Sequence, residues 1–305
     1  MAQRSASQAM GGRNEAANPF IVDAVGDALS APSDSRGAPT TLSLVIPAYN
    51  EEARLPALLE VLGTSAASAV RRSGMELVEV LIVDDGSTDR SREMLEVAAG
   101  RDARLKPVLD FEENRGKGAA FAAGVERARG DYVLLADVDL STPLDELPKL
   151  TVAIREGADI AIGSRAVAGA VVERGPLHRK VLGKAFNRAV RLLIGLRLRD
   201  TQNGFKLFPT NAAKRLLAEQ RCPGFAFDVE LLMRADRAGL RIAEVPITYL
   251  HDSRSSVRVA SASLKMLRDV SGLAYRLRIR RLDDGDVRPS LRDTTLAEIS
   301  ADDSD

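Results

Sequence analysis

An α/β fold with a mostly parallel central sheet flanked by helices is predicted by three features of this chain. Short apolar runs alternate with stretches of helical period from Leu42 to Ile162. Each run gives way to turn-forming and charged residues where a strand would end. No apolar run approaches the roughly 18 residues that a bilayer-spanning helix requires. With 305 residues and 45% hydrophobic composition, the chain can bury a full core. Strands alternating with helices at this spacing imply right-handed crossovers, and open sheets of that kind bind ligands at the carboxyl ends of their strands.

Taken in order, residues 1–40 are rich in Ala, Ser, Gly and Asn, lack a hydrophobic segment, and read as a disordered tail and not as a secretion signal. Leu42 to Pro47 reads as the first strand and Pro56 to Val70 as a helix. Leu77 to Val83 is a second strand, Thr88 to Ala98 a helix, and Arg104 to Leu109 a short third strand. Gly116 to Arg129 is helical and leads into the buried run Tyr132-Val133-Leu134-Leu135; Leu144 to Glu156 is a further helix and Asp159 to Ile162 a strand. Beyond Gly163 the pattern changes. A long helix is expected over Leu177 to Leu196, then loop and strand over Asp200 to Phe208, helices near Asn211 to Ala218 and Phe227 to Ala238, and two short strands within Arg241 to Tyr249. A last amphipathic helix, Ser261 to Arg281, sets Met266, Val270, Leu273 and Leu277 on one stripe, with Lys265, Arg268, Arg276 and Arg280 flanking it. The organisation expected is thus a tail over 1–40, one domain over 41–281 and an acidic disordered tail over 282–305.

The net charge of zero hides an asymmetry. Residues 282–305 carry eight acids against Arg288 and Arg292, so the folded part is basic. Such a face suits anionic substrates or an anionic membrane surface better than nucleic acid. The basic last helix fits a membrane surface and a solvated face on its own domain equally well. A single cysteine, Cys222, excludes an internal disulfide and fits a reducing cytoplasm; with no His or Cys cluster around it, it reads as structural.

The chemistry gathers at the expected strand ends. Asp137 and Asp139 close the run Leu134-Leu135-Ala136-Asp137-Val138-Asp139. Two acids so placed repel each other unless a cation or proton lies between them. A hard divalent ion carrying phosphates satisfies them, because Mg²⁺ uses one or two carboxylates plus phosphate oxygens. Taken alone, the pair also fits a solvated strand exit. Its neighbours change the weighing: Pro47-Ala48-Tyr49-Asn50-Glu51-Glu52, Val83-Asp84-Asp85-Gly86-Ser87, Asn114-Arg115-Gly116-Lys117-Gly118 and Gly163-Ser164-Arg165 all fall at strand exits or helix starts. Neither a dinucleotide fingerprint nor a Walker loop is present. Tyr49, Glu51 and Asp85 can hold a nucleoside; Lys117, a metal and Arg165 can neutralise a diphosphate.

These motifs resemble the inverting GT-A (Rossmann-like) glycosyltransferases of family 2. Asp200-Thr201-Gln202-Asn203-Gly204-Phe205-Lys206-Leu207-Phe208 and Phe227-Asp228-Val229-Glu230-Leu231-Leu232 resemble the dolichyl- and polyprenyl-phosphate sugar synthases, above all the glucosyltransferase branch. The resemblance covers about Leu42 to Arg281. It implies that Pro47, Tyr49 and Glu51 contact base and ribose, with Asp85 beside the nucleoside. It implies further that Asp137 and Asp139 hold Mg²⁺ or Mn²⁺ against the diphosphate, and that Arg165 and Arg179 face the acceptor phosphate and the diphosphate. Arg254 or Arg258 would close over the phosphates, and Asp228 would bound the acceptor site. Ser141 stands where some relatives place a metal-reaching Gln. The implied reaction is metal-dependent, inverting transfer of a hexose from UDP-glucose to a polyprenyl phosphate at the cytoplasmic face of a membrane, by a protein attached peripherally. Alternatives remain at this point: a GDP-mannose donor, a glycan or soluble acceptor served by Asp228 or Glu230 as general base, or a non-catalytic nucleotide-sugar-binding protein.

Overall fold

The computed structural model describes residues 39–109, 111–173, 187–190, 192–251, 266 and 268–275. In chain order the elements are β1 (Thr40–Ala48), α1 (Leu55–Thr64), α2 (Ala66–Arg72), β2 (Met75–Asp84), α3 (Ser91–Ala99), α4 (Lys117–Arg127), β3 (Tyr132–Leu135), a 3₁₀ turn (Leu144–Glu146) and α5 (Leu147–Arg155). There follow β4 (Ile160–Ser164), β5 (Val171–Val172), β6 (Lys206–Pro209), α6 (Thr210–Ala218), α7 (Phe227–Arg237), β7 (Ile242–Pro246) and β8 (Thr248–Tyr249). Residues 187–190, 192–194 and 268–275 are also helical.

Six strands form one sheet in the order β2-β1-β3-β6-β4-β7, and β5 pairs with β8 apart from it. β1 is the spine, parallel to β2 on one side and to β3 on the other. Because the connections leave β1 in opposite directions, the reversal opens a crevice at its carboxyl end. Both faces are covered, which is why β1 reads as a continuous apolar run. Leu42, Leu44 and Ile46 pack on one face with α1, α2 and α5; Val45 joins α4, α6 and α7 on the other. Ser43 is the polar exception. Its hydroxyl donates to Glu79 at 2.8 Å, and Glu79 in turn receives the Arg129 guanidinium.

Two expectations change, and one strand direction that was open is settled. The helix expected over Pro56 to Val70 is two helices, parted at Ser65, whose φ is −121°. The Thr64 and Ser65 hydroxyls bond the carbonyls of Glu60 and Val61, four residues back, and so compete with the helical ladder. The strand expected over Arg104 to Leu109 contributes two parallel bridges to β2, at Leu105 and Val108. Pro107 between them has no N–H to give a ladder. That direction, which the sequence left open within a mostly parallel sheet, matters most: β6 enters antiparallel, between β3 and β4. Of the expected helix over Leu177 to Leu196, only its last part lies within the described residues. The same holds for Ser261 to Arg281, where Val270 and Leu273 are buried against the core as their stripe predicts. Among the described residues no helix is long and apolar enough to cross a membrane.

Phe121 of α4 meets Phe227 of α7 with ring centroids 5.2 Å apart, both fully buried. This contact ties together two helices that begin at the sheet's carboxyl edge. Phe121→Ala is expected to lower the unfolding free energy by about 3–5 kcal/mol, read from the urea midpoint at unchanged m-value.

Candidate active site

The carboxyl edge of the sheet collects the residues singled out above. β1 runs out into Tyr49 and Asn50, β2 into Asp84 and Asp85, β3 into Asp137 and Asp139, and β4 into Arg165. Because β6 is antiparallel, it brings its first residue to the same edge: Lys206 pairs with Leu135 and with Ile162. Sequence reading did not single out Lys206. Its signal was a lysine inside the apolar run Phe205-Lys206-Leu207-Phe208, a pattern that marks a paired, buried charge.

Three ion pairs form the floor. Lys117, the first residue of α4, places Nζ 2.6 Å from Asp137 Oδ1. Arg165 grips Asp200 with two guanidinium bonds of 2.8 and 2.9 Å, and its backbone N–H donates to the same carboxylate. Lys206, wholly buried, places Nζ 2.5 Å from Asp228 Oδ1 and also donates to the Asn203 carbonyl. Burial pushes the Asp137 carboxyl up, but Lys117, with Lys206 and Arg165 behind it, outweighs that and holds it below the ordinary range. Asp200 is likewise held low: burial raises it and Arg165 more than compensates. Asp228 is pushed up by burial, against the pull of Lys206 and Lys117.

Above the floor, Asp139 accepts the Ser141 backbone N–H at 2.9 Å. Leu140 between them has φ +44°, and Asn50 has φ +53°. Non-glycine residues held in that region cost energy, and such residues gather where a backbone is shaped for a ligand. The buried Ser141 hydroxyl finds no hydrogen-bond partner in the structure. Ser141, Thr142, Asp137, Arg165 and Asn203 line a small polar cleft with room for a bound water or ion. Gly204 is required beside it, since a Cβ there would collide with the Asp137 carboxylate. Among the described residues no three His, Cys, Asp or Glu side chains assemble into a metal-holding group. A divalent ion here would therefore draw on two carboxylates, the Ser141 hydroxyl and oxygens from outside the protein. Hard oxygen donors of that kind suit Mg²⁺ or Mn²⁺.

The rim is built from interlocked loops. Asp85 is 2% exposed and accepts from Asn114 Nδ2 and from the backbone N–H groups of Arg115 and Gly116. Its carboxylate thus holds the loop that delivers Lys117. Burial raises its pKa and those two backbone bonds oppose the rise. Pro47 lies half-buried near the end of β1, and Tyr49 is 43% exposed at the mouth. Glu51 bonds Arg54 at 3.1 Å. Its pKa is raised to about 7 by burial, with Asp139, Asp89 and Asp137 adding to the rise and Arg54 opposing it. Glu230 accepts from Arg234 and from the N–H groups of Arg221 and Cys222, which lower its pKa against burial. Arg179, Arg254 and Arg258 lie outside the described residues. A much larger groove, about 820 Å³, lies between α1 and α3, away from these strand ends.

The glycosyl transferase family 2 profile matches residues 43–217. Among curated proteins, the chain is 35% identical to the dolichyl-phosphate beta-glucosyltransferase of Drosophila melanogaster, over 75% of this chain and 73% of that protein. It is 32% identical to the human protein of the same name, over 85% and 82% respectively. Among solved structures, it resembles glucosyl-3-phosphoglycerate synthase from Mycobacterium tuberculosis, with a TM-score of 0.56 and 21% identity over 81% of this chain and 84% of that one. A structure of that synthase contains Mn²⁺ and UDP-glucose; against it the TM-score is 0.53 and the identity 20%, over 81% of this chain and 83% of that one.

A pH dependence follows from Glu51. A carboxyl whose pKa is higher folded than unfolded binds its proton more tightly when folded. Its contribution is complete below about pH 4.5 and is lost as the pH rises through about 7. Urea unfolding in EDTA should therefore show wild-type stability falling across that window more than that of Glu51→Gln.

Proposed function

Since this chain belongs to glycosyl transferase family 2 and is a glycosyltransferase, we propose that it transfers glucose from UDP-glucose to a polyprenyl phosphate, with inversion at the anomeric carbon and with a divalent metal. The donor reading is supported by the strand-end pair Asp137 and Asp139, with Lys117 on Asp137 and the Arg165 charge near enough to lower its pKa. The names of the relatives support the phosphate acceptor.

One observation favours that acceptor over a sugar hydroxyl. A hydroxyl needs a general base, and the two carboxylates that the sequence offers for that role are both engaged. Asp228 is buried against Lys206, and Glu230 receives Arg234 and two backbone N–H groups. A phosphomonoester needs no base, because its second pKa is about 6 and it is largely dianionic at neutral pH. Its oxygen attacks the anomeric carbon as the bond from that carbon to the diphosphate oxygen breaks, and the electron pair leaves on the nucleoside diphosphate.

In this reading Asp137, Asp139 and Ser141 would hold Mg²⁺ or Mn²⁺, which as a Lewis acid neutralises charge on the departing diphosphate. Lys117 and Arg165 add fixed positive charge where that charge develops. Arg165 is aimed by Asp200 and by the Tyr249 ring, 5.0 Å from its guanidinium carbon. Tyr49 offers the base an exposed aromatic face, with Pro47 and Glu51 beside the ribose. Asp85 serves the nucleoside indirectly, by fixing the loop from Asn114 to Gly116. A polyprenyl phosphate would be met at a membrane surface, and the cytoplasmic face is the expected one.

Incubation with radiolabelled UDP-glucose, Mn²⁺ and a polyprenyl phosphate should move label into the organic phase as a β-linked product. Asp139→Ala should lower that rate by at least about 100-fold while leaving the folded spectrum intact. Transfer from GDP-mannose instead, or near-normal activity of the variant, would reject the assignment.

A further inference from the structure

Three cations surround Asp137, and they are not equivalent. Arg165 has Asp200 as its own bidentate partner, and Lys206 is wholly buried with Asp228 as its own. Lys117 instead spends its ammonium on Asp137 itself, at 2.6 Å. That side chain is 19% exposed, extends from the start of α4, and holds its ammonium 5.6 Å from the centroid of the Phe121 ring. It therefore has access to the space in which a diphosphate would lie. An ammonium on a carboxylate oxygen at that distance excludes a second cation from it, because two cations so close repel strongly in a partly buried site. Asp139 differs: the contact it makes is a neutral backbone N–H, at 2.9 Å.

We propose that Lys117 is an exchangeable counter-ion of the metal site, occupying Asp137 until the donor's diphosphate draws the ammonium away and leaves the carboxylate to the divalent ion. The inference rests on the assignment of Asp137 to the metal made above. Its consequence is positive coupling. A divalent ion arriving alone must displace an ammonium that has no new partner, whereas one arriving with a nucleoside diphosphate displaces an ammonium that does. By reciprocity the nucleotide also binds better when the metal is present. The exchange would keep metal from filling the site without its donor.

The test is Mn²⁺ binding, followed by electron paramagnetic resonance, to wild type and Lys117→Gln with and without UDP. Lys117→Gln is expected to bind Mn²⁺ alone about tenfold tighter than wild type, while its affinity for UDP falls; typical coupling between sites is of that order. A general loss of structure would weaken both, so opposite signs identify the exchange. Mn²⁺ affinity that is unchanged or weaker in a folded Lys117→Gln, with UDP-dependent Mn²⁺ binding intact in wild type, overturns the inference alone. Absence of Mn²⁺ binding to wild type even with UDP overturns the metal assignment as well. A second measurement needs no variant: where the Lys117 ammonium signal is resolved in ¹⁵N-lysine spectra of wild type, it should shift on adding Mg²⁺ with UDP, as its partner changes from carboxylate to phosphate. An unchanged shift at saturation would show the pair intact and reject the exchange.

Discussion

A charge taken out of water must be met by another, and this site is arranged around that constraint. Removing one partner of a buried pair leaves an uncompensated ion at a cost of roughly 3–5 kcal/mol. Asp200 and Asp228 are buried at the edge of a sheet whose faces are sealed by apolar side chains, and each has its cation; Asp137, more open to solvent, is met by Lys117. The pairs span five elements of the chain: Lys117 opens α4, Asp137 follows β3, Arg165 follows β4, Lys206 opens β6 and Asp228 lies in the first turn of α7. Electrostatic compensation thus adds to the sheet ladder of β3, β6 and β4 and to the Phe121–Phe227 contact in holding these elements together.

The rim above obeys a different economy. Its loops are held by short polar side chains reaching backbone groups far away in sequence. Asn50 accepts from the Thr88 N–H, Asp85 holds three donors of the 114–116 loop, and the Gly86 turn lies so close to Glu113 and Asn114 that a side chain there would collide. On the function proposed above, preorganisation of this kind would place charge where a leaving diphosphate needs it without reorganisation at the moment of reaction. An acceptor that ionises by itself completes the logic, because such a site has to position and neutralise and need not remove a proton.

Much of this was readable from the residues, and the boundary is physical. Strand exits are legible because the parallel strands share one direction, so turn residues after apolar runs fall at one edge; the Asp137/Asp139 pair was found that way. The partnership of Asp200 with Arg165 was not legible, because 35 residues separate the two and only the fold joins them. Lys206 was missed because alternation of strands and helices predicts direction only for crossovers. An antiparallel strand presents its first residue where its neighbours present their last. The break at Ser65 was missed because hydroxyl back-bonding is a local competition that an apolar stripe does not register.

The direction of β6 carries a consequence for how this chain tolerates change. Along that strand Lys206 meets Asp228, Leu207 belongs to one apolar layer and Phe208 to the other. A slip of one residue would turn a lysine into an apolar layer and an apolar side chain toward Asp228. Gly204, two residues earlier, would leave its place against Asp137 in the same movement. Folding and activity are therefore proofread by a single registration, and insertions or deletions between Asn203 and Pro209 should be purged even where substitutions survive. A lineage could vary its surface loops freely and still carry this seven-residue ruler at constant length.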